Sequence, residues 1–140
     1  MMIGRGAQAI YEEAEAHRKV GELLRRQREL MVAGKDEELG EVNQALIDAI
    51  GEAHAATQRR RRVLAELGMR MSQPMLGAAW AELRQALRMV KNEATLSEEM
   101  AGEMLADIQF LLGLLQPAIE GYGRDGRRYA SGPALLDKAV

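Results

Sequence analysis

The 140-residue chain is predicted to be all-α: a bundle of three long antiparallel helices with coiled-coil-like packing, an overshooting third helix and a flexible C-terminal tail. Three observations predict it. Apolar residues recur at alternating three- and four-residue steps along three separate tracks, the spacing of one helical face. The breakers Gly34, Gly68 and Pro74 fall between those tracks. Aromatics make up only 4% of the chain, while Ala, Leu, Glu and Arg dominate, a mixture that favours helix over sheet.

The first helix is expected over about 3–33. Its track is Ile3, Ala7, Ile10, Ala14, His17, Gly21, Leu24, Arg28 and Met31, widened by Val20, Leu23 and Leu30. Gly34 suits the left-handed position that closes a helix. Asp36 is the expected N-cap of the next. The second helix, about 37–67, follows Leu39, Val42, Leu46, Ala49, Ala53, Ala56, Arg60, Val63 and Leu67, and Gly68 ends it. Ser72 is then a candidate cap, with Pro74 in the first turn of the third helix.

The third helix is expected over about 73–116. It follows Leu76, Trp80, Leu83, Leu87, Val90, Ala94, Ser97, Ala101, Met104, Ile108, Leu111 and Leu115. Thr95 and Glu98 in "TLSEEM" have capping-box spacing, so a break into four helices is the alternative. The register runs through without a slip, which favours one helix ended or kinked by Pro117. At 1.5 Å per residue it spans roughly 66 Å, longer than either partner. Its last turns, from about Leu105, should therefore overshoot the first hairpin. They carry Ile108, Phe110, Leu111, Leu112, Leu114 and Leu115, apolar on every side. Such a helix end needs a cover: its own tail, a second copy or another protein.

Residues 1–120 thus read as the helical bundle and 121–140 as the tail. The tail holds Gly121, Gly123, Gly126, Gly132 and Pro133, too many breakers for one helix, and the anchors Tyr122, Tyr129, Leu135, Leu136 and Val140. It is read as unstructured, docked on the third helix, or ordered on a partner.

Composition narrows function. The net charge is −2 and the pI about 5.8, so no nucleic-acid or membrane partner is expected from bulk charge. There is no cysteine, which excludes disulfides and thiolate metal sites and fits a cytoplasmic protein. No secretory leader is read at "MMIGRGAQAI", and no apolar run approaches the roughly 20 residues of a membrane span. No phosphate loop or nucleophile elbow is present, so neither an enzyme nor a cofactor is expected. The acidic residues read as solvated faces.

The run "QRRRR" at 58–62 points in several directions round a helix and reads as structural, with Arg60 packing its stem on the core track and snorkelling its head. His17 lies on the apolar track and His54 points outward, so they form no expected metal site. Met69, Met71, Met75, Met100 and Met104 read as core filling more than as an adaptable binding surface. Asn92 reads as surface.

The segment "ELLRRQRELMVAGKDEELGEVNQAL" resembles the first hairpin of the FlgN family of flagellar type III export chaperones. "RRVLAELG" resembles that family's second-helix end. "WAELRQALRMVKNEATL" places a Trp, a leucine ladder and Asn92 as in its third helix, and "YGRDGR" resembles the Tyr-x-x-x-Gly signature after it. Thr95 departs from the pattern, since many members place a second Asn there. The resemblance spans nearly the whole chain. It implies a cytosolic, non-enzymatic chaperone that binds the terminal helical segment of hook–filament junction proteins, FlgK and FlgL, and keeps them export-competent. Contact with the export apparatus is a further implied partnership. The family's client-binding region lies towards the C-terminus, which points to Ile108, Leu111, Leu112, Leu115 and Tyr122. The alternative reading is a non-enzymatic homodimeric coiled-coil adaptor or assembly protein.

Overall fold

A computed structural model describes the backbone of residues 2–70 and 73–122 and the side chains of residues 4–70 and 73–114. Three helices follow in order: α1 Met2–Ala33, α2 Asp36–Glu66 and α3 Gly77–Tyr122, the last preceded by a 3-10 turn at Pro74–Leu76. No strand occurs among the described residues, and the fold is an all-α bundle. The chain divides into two units, Met1–Ser97 and Glu98–Val140. The bundle lies in the first, and the last part of α3 in the second.

Cross-helix pairs set the directions. Between α1 and α2, Arg5 pairs with Glu66, Glu12 with Arg59, Lys19 with Glu52 and Gln27 with Asn43, so one number falls as the other rises. Between α1 and α3, Arg18 pairs with Glu82, Arg25 with Glu93 and Arg28 with Ser97, so both rise together. Hence α1 runs antiparallel to α2 and parallel to α3. Two apolar clusters fill the bundle. One joins Ile10, Ala14, Leu64, Leu76, Ala79, Leu83 and Ala86. The other joins Val20, Leu46, Ala49 and Ala53, with Val90 packed against it. Most of these are residues of the expected tracks, as burial of one helical face requires.

The turns explain the helix ends. Gly34 has φ +69, a conformation that costs a residue with a Cβ. Its amide donates to the Met31 carbonyl at 3.2 Å, and the Lys35 amide donates to Leu30 at 3.1 Å. These two bonds close a Schellman motif. Gly68, φ +64, repeats it: its amide donates to Ala65 and that of Met69 to Leu64. The N-cap of α2 is Lys35 and not Asp36, and no side chain caps it. The Schellman closure engages the Lys35 amide, and α2 begins directly after it at Asp36, one residue earlier than expected. Asp36, Glu37 and Glu38 instead fill the first turn, where carboxylates oppose the positive end of the helix dipole. Gln73 precedes the 3-10 turn as its cap; Ser72 lies outside the described residues.

α3 runs unbroken through Thr95, as its register favours, and the Thr95 hydroxyl donates to the Lys91 carbonyl at 2.9 Å within the helix. One expectation is corrected: α3 does not stop at 116, and helix continues through Pro117 to Tyr122. Proline removes one backbone hydrogen bond, which a helix already propagated over many turns tolerates. Beyond Tyr122, the expected tail lies outside the described residues.

The expectation of solvated carboxylates fails at two positions. Glu13 is 1% exposed and Glu93 5%. Arg60 does not snorkel; its Nε donates to Glu13 at 2.9 Å. His17 Nε2 stands 3.8 Å from the same carboxylate. Glu93 accepts from Arg28 and from Arg25, the latter at 3.0 Å. The Arg28 hydrogen bond chiefly, and then Arg25, holds the Glu93 carboxyl below its ordinary value against the opposing effect of burial. The buried charges are thus paired, as burial demands. No buried side-chain polar atom among the described residues lacks a hydrogen-bond partner.

Candidate functional site

The C-terminal part of α3, from Glu98, differs in kind from the bundle helices. From Glu98 to Gly123 the sequence has the acids Glu98, Glu99, Glu103, Asp107 and Glu120 and no Lys or Arg. Leucines and Ile108 interleave them from Leu105 onward, and leucine is a strong helix former. The backbone is accordingly helical to Tyr122.

On this helix Ile108, Leu111, Leu112 and Leu115 stand at i, i+3, i+4 and i+7, and Tyr122 two turns beyond Leu115. All five therefore share one stripe. Ile108 is 41% exposed and Leu111 56%, and Leu112 is half-buried. The side chains of Leu115 and Tyr122 lie outside the described ones. Phe110 and Leu114, at 67% and 63%, occupy a different face of the same turns and are more open still. Met104, placed by periodicity on the core track, is also exposed. The signal for it was the same alternation that marks core positions, and periodicity alone does not say whether a stripe finds a partner. Single exposed apolar residues are ordinary on a protein surface, but five within eleven residues form a contiguous patch.

Among the described residues no group of three His, Asp or Glu side chains is placed to hold a metal ion. His54 is exposed on α2, and Asn92 is exposed on α3. No helix of the described residues is long and apolar enough to cross a membrane. What the described C-terminal part of α3 offers is an apolar, anionic-flanked surface.

The chain matches the family model described as FlgN protein over residues 1–130. No curated protein and no solved structure matches it. The matched range contains all three helices and the exposed apolar stretch, and the chain therefore belongs to the FlgN family, a family of flagellar export chaperones.

Proposed function

We propose that this protein acts in the cytoplasm, where it binds the terminal helical segment of hook–filament junction proteins of the FlgK and FlgL type along the stripe Ile108, Leu111, Leu112, Leu115 and Tyr122. The exposure of Met104, Ile108, Phe110, Leu111 and Leu114 within one short helical stretch carries this reading. An amphipathic client helix would lay its apolar face on that stripe. With about half of Ile108 and Leu111 still to be buried, each contributes on the order of 1 kcal/mol. Four or five anchors together then offset the several kcal/mol needed to order a disordered client end. The acids that flank the stretch favour a client segment that is neutral or basic there.

Light-scattering mass, measured with and without the C-terminal segment of a hook–filament junction protein, tests the reading. The expected result is a monomer that forms a one-to-one complex. Leu111→Asp is expected to lose the complex while keeping its helical circular dichroism. A tight dimer indifferent to the segment would instead identify a homodimeric adaptor.

A further inference from the structure

Charge is segregated across the bundle. Every ion pair among the described residues includes a residue of α1: Arg5, Glu12, Glu13, His17, Arg18, Lys19, Arg25, Arg26 or Arg28 on one side of each. From Gln58 to Lys91 the sequence holds eight cations and two acids. Both acids, Glu66 and Glu82, are engaged by α1 arginines, and Arg59 and Arg60 are engaged by α1 carboxylates. That leaves Arg61, Arg62, Arg70, Arg84, Arg88 and Lys91, all exposed, with no ion-pair partner among the described residues.

Three of these cations share one stripe. Arg84, Arg88 and Lys91 stand at i, i+4 and i+7, one stripe on the outer face of α3. The Arg84 guanidinium lies 5.7 Å from the centre of the Trp80 ring, a cation–π arrangement that orients it. Trp80 itself packs on the cluster that contains Leu64 of α2. Arg60 meets Glu13 of α1, and Glu82 meets Arg18, five residues further along α1. Arg61 and Arg84 therefore stand about 12 Å apart along the bundle axis, since α2 runs against α1 and α3 runs with it. Leu87, 40% exposed, lies between Arg84 and Arg88 and supplies an apolar floor.

We propose that this α2–α3 face docks an acidic segment of a partner protein, its carboxylates at helical spacing meeting Arg84, Arg88 and Lys91 and an apolar side chain seated by Trp80 and Leu87. The stripe of exposed cations Arg84, Arg88 and Lys91, in a chain of net charge −2, attracts carboxylates at short range. The overall negative charge opposes long-range capture of a nucleic-acid polyanion. The apolar floor likewise suits a side chain better than a phosphate backbone. This face uses none of the residues of the stripe around Leu111 and does not depend on them.

Trp80 is the only tryptophan and reports from within the face. The test is fluorescence anisotropy of a labelled synthetic helical peptide with Glu at i, i+4 and i+7 and Leu between, titrated with the full chain at low salt. Binding is expected, with a change in Trp80 emission and weakening as salt is raised. Arg84→Glu, Arg88→Glu and Lys91→Glu together should weaken it at least about tenfold, and Arg61→Glu with Arg62→Glu should weaken it from the other helix. Lys35→Glu and Leu111→Asp should leave it unchanged. The proposal is overturned if the peptide does not bind, if its Gln counterpart binds equally well, or if neither set of charge reversals weakens it. Tighter binding of a single-stranded oligothymidylate would assign the face to nucleic acid and overturn it too. So would a dimer of the protein alone that the α3 charge reversals dissolve.

Discussion

Arg28 of α1 donates from one guanidinium nitrogen to the backbone carbonyl of Glu93 on α3, at 2.7 Å, and from the other to the Glu93 carboxylate. One side chain thus grips a neighbouring helix by both its backbone and its charge. The same nitrogen that reaches the carbonyl also donates to Ser97 at 3.0 Å. A heptad slip of α3 along α1 would break all three contacts at once and leave Glu93 buried beside other groups. Buried charge of this kind specifies register more than it adds stability.

The Glu93 carboxyl, held below its ordinary value, has a definite pH signature. A carboxylate with a depressed folded pKa contributes stability that is fully present above its unfolded pKa. That contribution is lost as pH falls through the folded value. Glu93→Gln should cost about 1–3 kcal/mol at neutral pH, since it removes the charge from a buried, twice-bonded acceptor. The cost should shrink as the pH falls below the ordinary carboxylate range. Urea midpoints of both proteins at neutral and acid pH measure this; a constant difference at every pH would contradict it.

The glycines separate backbone strain from helix propensity. A Cβ at Gly34 would meet nothing within 4 Å, so only its φ of +69 opposes substitution. Gly34→Ala is expected to cost about 1–2 kcal/mol. Gly40 and Gly51 also have open space around them but sit within α2. Gly40→Ala and Gly51→Ala should each stabilise by about 0.5–1 kcal/mol, because alanine loses less conformational entropy in a helix. Thermal melts of the three variants should move in opposite directions accordingly.

Two leucines on α3 test where core ends and surface begins. Leu83 is fully buried and Leu111 is 56% exposed, though both lie on the same periodic track. Leu83→Ala should cost about 2–5 kcal/mol through lost burial and a cavity. Leu111→Ala should change stability by no more than about 0.5 kcal/mol. Chemical unfolding of the two variants reads the contrast directly, and equal losses would make Leu111 ordinary core.

Much of the architecture was legible in the residues alone. Three helices follow from apolar spacing, and their ends from Gly34 and Gly68, because period and left-handed backbone are local properties of a chain. The exposed stretch around Leu111 was legible as an apolar surplus in the last turns of a long helix. Tertiary structure decided the rest. At Thr95 the unbroken register outweighed the capping signal, and packing adds only that the hydroxyl turns back to Lys91. Arg60 and Arg28 sit on core tracks, and only the neighbouring helix shows that Glu13 and Glu93 await them. That Arg84, Arg88 and Lys91 stay without an ion-pair partner among the described residues is likewise invisible in a net charge of −2. Periodicity names the face that a helix turns inward. Which partner meets each charge there depends on register between segments far apart in the chain, and only packing sets that register.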